Sequence, residues 1–218
     1  MTGDRLMKEK VKDFIIKNLK WIILFICLVG FLAIAEDVFH KEIMMKDIIG
    51  YKLVSTLLIS DFATPIAKFI TNFGGAIFLI IATIILFILI KNRKIGISII
   101  SNLAVVTILN QLLKNILQRP RPTEFRIVEE TGFSFPSGHS MVSMAFYGYL
   151  IYLIYKYVKN KYLKWILIVL LSILICTIGI SRIYLGVHYT SDVLGGFLIS
   201  ISYLVIYISA VNKFLLEK

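Results

Sequence analysis

Residues 165–211 read WILIVLLSILICTIGISRIYLGVHYTSDVLGGFLISISYLVIYISAV. Two apolar runs, 165–180 and 193–211, flank residues 181–192, where Arg182, His188 and Asp192 gather. A helix that crosses the hydrocarbon core of a bilayer needs roughly 20 mostly apolar residues, with a range of about 17–25. The stretch therefore reads as two membrane spans joined by a polar turn, with the reactive side chains at the helix ends.

The same pattern recurs upstream in the apolar runs 21–35, 73–90, 95–113 and 140–155. The expected fold is all-α: a single domain over 1–218 containing a bundle of six transmembrane helices. The runs 21–35, 140–155 and 165–180 are short, but flanking Lys17, Lys20, Lys156 and Lys164 can snorkel and lengthen them. Ala33-Ile34-Ala35 resembles a signal-peptide cleavage site, yet the preceding stretch is long and contains acids, so the first run is read as an uncleaved span. Within 36–72, Leu53, Leu57 and Leu58, then Ile66, Phe69 and Ile70, recur at helical spacing. One or two amphipathic helices at the outer interface are expected there, with His40 a solvated loop histidine.

Composition agrees. The chain is 58% hydrophobic with a mean hydropathy of +0.85, against about 45–50% apolar for soluble domains. The net charge of +11 is unevenly distributed. If the runs alternate across the membrane, residues 1–20, 91–94, 156–164 and the tail share one face, with 15 Lys/Arg against 4 Asp/Glu. The other face carries 9 of each. By the positive-inside rule the first face is cytoplasmic, with both termini inside. The charge thus reports orientation in the cell membrane rather than nucleic-acid binding. Tyr155, Tyr157, Tyr162 and Trp165 crowd the same face, as an interfacial aromatic belt does. Cys27 and Cys176 lie inside apolar runs and read as small core hydrophobes, not as a disulfide or a metal site.

Three polar clusters fall on the opposite, outer face. The first is Lys114 with Arg119-Pro120-Arg121-Pro122. The prolines force the arginines out of helical geometry into a stiff cationic strap, and Arg and Lys suit phosphate oxygens. The second, Pro136-Ser137-Gly138-His139, opens a span. A helix N-terminus offers unpaired amides and a favourable dipole to an anion, and Gly138 permits close backbone approach. In the third, His188 and Asp192 stand four residues apart and are expected to share a helix face, with Gly196 and Ser200 continuing it as a close-packing stripe. Asp192 can then hold one imidazole nitrogen and leave the other as a nucleophile.

These clusters resemble the signature of the type 2 phosphatidic acid phosphatase superfamily: Lys, six residues, Arg-Pro; then Pro-Ser-Gly-His; then Ser-Arg, five residues, His, three residues, Asp. Here it reads Lys114 to Arg121-Pro122, Pro136 to His139, and Ser181-Arg182 to His188 to Asp192. Arg119-Pro120 has the wrong spacing from Lys114, so Arg121 is preferred. The resemblance implies that His188 attacks phosphorus, Asp192 orients it, and His139 protonates the leaving oxygen. It also implies that Lys114, Arg121, Ser137, Gly138 and Arg182 bind the phosphate, with no metal or other cofactor. The expected function is a lipid phosphate phosphatase of the integral-membrane bacterial branch, working at the outer leaflet on phosphatidic acid, phosphatidylglycerol phosphate or undecaprenyl diphosphate. The residues leave the choice open, and the oligomeric state too. A lipid phosphotransferase with the same site and a non-enzymatic phospholipid transporter are the alternatives. If His188 acts neutral and His139 protonated, the pH profile is bell-shaped.

Overall fold

The computed structural model of the chain describes residues 3–40, 44–123 and 126–216, with side chains from residue 17 onward. The basic side chains ahead of Lys17, and Glu217 and Lys218, which enter the charge pattern, lie outside the described residues. Among the described residues eight α-helices follow one another: α1 Gly3–Phe39, α2 Met45–Leu58, α3 Ala63–Asn72, α4 Ala76–Leu89, α5 Arg93–Leu117, α6 Gly138–Tyr157, α7 Lys161–Tyr184 and α8 Thr190–Val211. A π-helical turn, Asn212–Leu216, extends α8.

Local chemistry sets the helix ends. The Asn92 side chain accepts from the Lys94 amide at the start of α5, and Asn160 from the Leu163 amide at the start of α7, as asparagine N-caps do. Helix α5 stops where Gln118 turns left-handed (φ 44°), two residues before Pro120. The helices overrun the apolar runs that announce them: 140–155 lies within α6 and 165–180 within α7.

Among the described residues, four helical stretches are long and apolar enough to cross a bilayer: Lys17–Phe39, Arg93–Leu117, Lys161–Tyr184 and Thr190–Leu216. A fifth arises if α3 and α4, bent by 50° at their junction, form one broken span. The run at 73–90 is therefore not one straight helix. Helix α6 is 20 residues long, about 30 Å at 1.5 Å per residue, but carries serines and tyrosines throughout. The reason is its position: α6 packs against α5, α7 and α8 and faces protein.

Around α6 the core gathers Leu79, Ile99, Phe146, Tyr149 and Ile178. Several buried hydroxyls and amides reach across between helices there. Tyr149 donates to Ser98 Oγ (2.7 Å), Tyr207 to the Ser98 carbonyl (2.5 Å) and Asn102 to the Ala145 carbonyl (3.0 Å). Helix α8 lies close on α6: a Cβ at Gly196 would stand 3.2 Å from both the Met141 amide nitrogen and the Ser137 carbonyl oxygen. Ser200 donates to the Met141 carbonyl at 2.7 Å. Helix α1 covers α8 with Phe31, Ile34, Ala35 and Val38.

The outside is apolar. Phe25, Ile26, Ile77, Ile81, Ile88, Ile108, Leu112, Ile166 and Val169 are exposed, more large apolar side chains than a soluble monomer usually leaves open to water. Cys27 is buried, but Cys176 is exposed on α7, which corrects its expected place in the core. Apolar runs in a membrane protein serve lipid contact as well as packing. His40 is exposed at the end of α1, 3.5 Å from Glu36.

Candidate active site

The C-terminal ends of α5 and α7 and the N-terminal ends of α6 and α8 converge, and the connection 118–137 folds across them. All three polar clusters meet at this end of the bundle.

His188 is buried and held from both sides. Its Nδ1 lies 3.3 Å from Asp192 Oδ2, and its Nε2 lies 3.1 Å from the Arg121 Nη1. Arginine has only donors, so Nε2 must accept. The proton then sits on Nδ1, facing the carboxylate. Both contacts select the same neutral tautomer, with the Nε2 lone pair turned toward the cations.

His188 is not on the helix with Asp192. Helix α8 begins at Thr190, so the expected shared face is corrected. The two meet because Asp192, in the first turn, reaches back. Its Oδ2 accepts from the Tyr189 amide at 2.8 Å and from the Ser134 hydroxyl. Its Oδ1 accepts from Arg119 Nη1 at 2.7 Å.

The two arginines of the strap diverge. Arg121 Nη1 donates to the Val187 carbonyl (3.0 Å) as well as to His188, and its other nitrogens reach the Thr131 and Gly132 carbonyls. Arg119 is buried among Asp192, Asp47 and Ser191, with its guanidinium 4.1 Å from the Tyr189 ring centroid. Spacing set Arg119 apart from the signature, and its contacts make it a partner of the carboxylate behind His188.

Lys114 is buried and donates to the Phe133 and Ser134 carbonyls. Arg182 is almost fully buried, with Nη1 2.8 Å from Thr71 Oγ1 and Nη2 2.5 Å from Glu130 Oε1. Its Nε is buried with no hydrogen-bond partner among the described residues, a donor that a bound anion can satisfy. Burial pushes Glu130 up, but the hydrogen bond and charge of Arg182 outweigh it and hold the carboxyl below its usual range.

Ser137 sits differently from the expectation. Its hydroxyl accepts from the Ser140 amide (3.4 Å) and hydroxyl (3.0 Å), capping α6, and its amide donates to the Asp192 carbonyl (3.0 Å). The Gly138 and His139 amides begin the helix and have no intrahelical partner. A Cβ at Gly138 would meet Asn110 Oδ1 at 3.2 Å, so backbone approaches closely here.

His139 opens α6 beside Gly74 and Gly75, the joint between α3 and α4. Burial, reinforced by the Arg182 charge, pushes its pKa down to about 3. Burial likewise pushes His188 to about 4, against the hydrogen bond and charge of Asp192. Without an anion both imidazoles are held toward the neutral form, because burial and the several cations that crowd the same space disfavour one more charge.

The description "PAP2 superfamily" matches residues 95–215. Phosphatidylglycerophosphatase B of Bacillus subtilis is 43% identical over 94 residues, 41% of this chain and 45% of that protein, so the match spans less than half of the relative's length. Undecaprenyl-diphosphatase of Sulfolobus acidocaldarius is 26% identical over 82% of this chain and 84% of its own. Among solved structures, a transmembrane PAP2 type phosphatidylglycerolphosphate phosphatase from Bacillus subtilis superposes with a TM-score of 0.79 at 26% identity, covering 88% of this chain and 96% of that one. Aquifex aeolicus LpxE shares the fold (TM-score 0.63, 22% identity, covering 77% of this chain and 99% of that one).

Proposed function

The chain belongs to the PAP2 superfamily, and we propose that it is a membrane lipid phosphate phosphatase working through a phosphohistidine on His188. The observation that carries this reading is the pair of contacts that leaves His188 Nε2 unprotonated among the cations of the pocket. The named lipid phosphatases among its relatives support the substrate class.

A phosphomonoester carries about −1.5 to −2 charges near pH 7. Arg121, Arg182, Lys114 and the first amides of α6 complement that charge and the charge spread over the transferring phosphoryl group. The Arg182 Nε lacks a partner until such a group arrives. In the first step Nε2 attacks phosphorus, a P–N bond forms, and the bond to the lipid oxygen breaks. His139 supplies the proton to that oxygen. Its pKa is too low to hold this proton in the empty site, so the proton arrives with the anionic substrate, whose charge favours imidazolium. Water then attacks phosphorus, His139 takes its proton, the P–N bond breaks, and phosphate leaves. Asp192 keeps the Nδ1 proton throughout, and no metal is required.

Six spans follow if α6 crosses, as its length allows, and α3 with α4 crosses as one broken segment. Lys91, Lys94, Lys156, Lys164 and Lys213 lie at the helix ends remote from His188. This supports an active site on the extracytoplasmic side with both termini inside. An impermeant maleimide on intact cells checks it: a cysteine at Thr131 labels and one at Lys159 does not. Phosphatidic acid, phosphatidylglycerol phosphate and undecaprenyl diphosphate are the substrates to assay, with chelator present. Phosphate release that disappears in His188→Ala supports the proposal. Release that persists in that variant sinks the covalent route, and wild-type protein that releases nothing leaves a binding or transport site.

A further inference from the structure

We propose that Asp47, on α2, is a positioning residue for the reaction, acting through Arg119 so that the buried group behind His188 keeps one net negative charge. The inference rests on the reading of His188 as nucleophile and adds a residue outside the three sequence clusters.

Helix α2 is mostly an exposed apolar helix, with Met45, Ile48, Ile49, Leu53 and Leu57 open to the surroundings. Like Val54, Asp47 is buried, 3% exposed. Its two oxygens serve two different elements. Oδ1 accepts from the Ser191 amide at 2.8 Å, and Oδ2 accepts from Arg119 Nη2 at 2.7 Å. Ser191 is the second residue of α8, so its amide is one of the unpaired donors of a helix N-terminus. A carboxylate from another helix fills that position and suits the helix dipole. Gly50 supports the docking independently. It lies on the same face one turn on, and a Cβ there would stand 2.1 Å from Thr190 Oγ1. Only glycine lets α2 approach the start of α8 this closely.

The electrostatics explain why a second carboxylate matters. Arg119 alone against Asp192 makes a neutral pair, and a neutral pair gives little support to positive charge on the imidazole. With Asp47 on the other arm of the guanidinium, the trio retains one net negative charge. Attack on phosphorus places positive charge on the His188 ring, so a buried negative trio behind Nδ1 stabilises the transition state more than the ground state. The other charged or titratable groups acting on His188 are Arg121 from the strap, Arg182 from α7 and His139 from α6, with Lys114 from α5 and Glu130 from the connection 118–137 acting on these in turn. Ser134 adds a neutral hydrogen bond, 3.4 Å from Nδ1.

The experiment uses the full chain in detergent with whichever lipid phosphate the wild type hydrolyses. Asp47→Asn keeps the shape and removes the charge. Its kcat is expected to fall about 10- to 100-fold, the range seen when the outer partners of metal-bound histidines are removed, with KM held within about twofold. The acid limb of kcat/KM moves to lower pH. Asp47→Glu recovers part of kcat and leaves the limb at the wild-type position. Wild-type kcat in Asp47→Asn overturns the proposal, as does an equal loss in both variants with an unmoved limb. If Asp47→Asn does not fold, Asp47→Glu decides: an acid limb held at its wild-type position supports the proposal, and a limb moved to lower pH with the negative charge still in place overturns it. If the wild type releases no phosphate, the functional reading fails instead. The titration of His188 in isotope-labelled protein, assigned with His188→Gln, then tests the coupling alone: a midpoint unmoved by Asp47→Asn overturns it.

Discussion

Helices α4 and α6 make an instructive pair. Helix α4 is almost purely aliphatic, and among its residues Leu79 and Thr83 are buried. Helix α6 holds two serines and five tyrosines and buries eight residues, from Ser140 to Leu153. The less apolar helix is the central one. Lipid accepts no hydrogen bonds, so a helix bathed in it must be apolar. A helix surrounded by other helices can carry hydroxyls that reach across, as Tyr149 does to Ser98 and Tyr147 to the Phe73 carbonyl. Chemistry therefore resides on the helix that hydropathy ranks low, and α4 contributes mainly a lipid-facing surface.

If that contrast is right, perturbations around α6 are severe and those on α4 are slight. The largest loss is expected where a cation meets the pocket that α6 opens. Arg121→Ala should reduce kcat/KM about 10²- to 10³-fold, the scale for losing one charge-stabilising donor, measured as phosphate release. Next comes the seam between α6 and α8. Gly196→Val drives a side chain into the backbone of Ser137 and Met141, separates His139 from His188, and should lower kcat by at least about tenfold together with the melting temperature.

The pH dependence sharpens the same comparison. Protonation of His188 removes the Nε2 lone pair, so kcat/KM should fall as pH drops through about 4. At the other end, the proton delivered by His139 enters with the substrate. The rate for a phosphomonoester should therefore also fall above its second ionisation, at about pH 6. A profile unchanged from pH 4 to 9 contradicts both assignments. Smaller still, Tyr149→Phe removes one buried interhelical hydrogen bond and should cost about 0.6–1 kcal/mol of stability with activity intact. At the far end of the scale, Ile84→Leu on the lipid face of α4 should change neither quantity measurably.

Much of this was legible in the sequence because helices report their surroundings through composition. The runs at 95–113, 140–155, 165–180 and 193–211 all fall inside single helices, and alternation of those runs brings the three clusters to one end. The bend between α3 and α4 was marked only by the Gly74-Gly75 pair, and its angle was not legible, since both sides are apolar. Nor were the partners of the cluster residues. Arg119 looked dispensable by spacing, Thr71 and Glu130 carried no motif, and Asp47 lies 72 positions from Arg119. One signal was available: Asp47 interrupts an otherwise apolar helix face, and a buried carboxylate needs a cation. Its identity could come only from the fold. Ser137 shows the converse, a motif residue whose hydroxyl is engaged in capping the helix.

The most direct test is to look for the covalent intermediate. Rapid acid-free quenching of the wild type with labelled lipid phosphate should trap one phosphoryl group per chain, stable in alkali, labile in acid, and mapped to His188 by peptide sequencing. Protein that turns over substrate with no label on His188, or that is labelled equally in His188→Ala, would contradict the account.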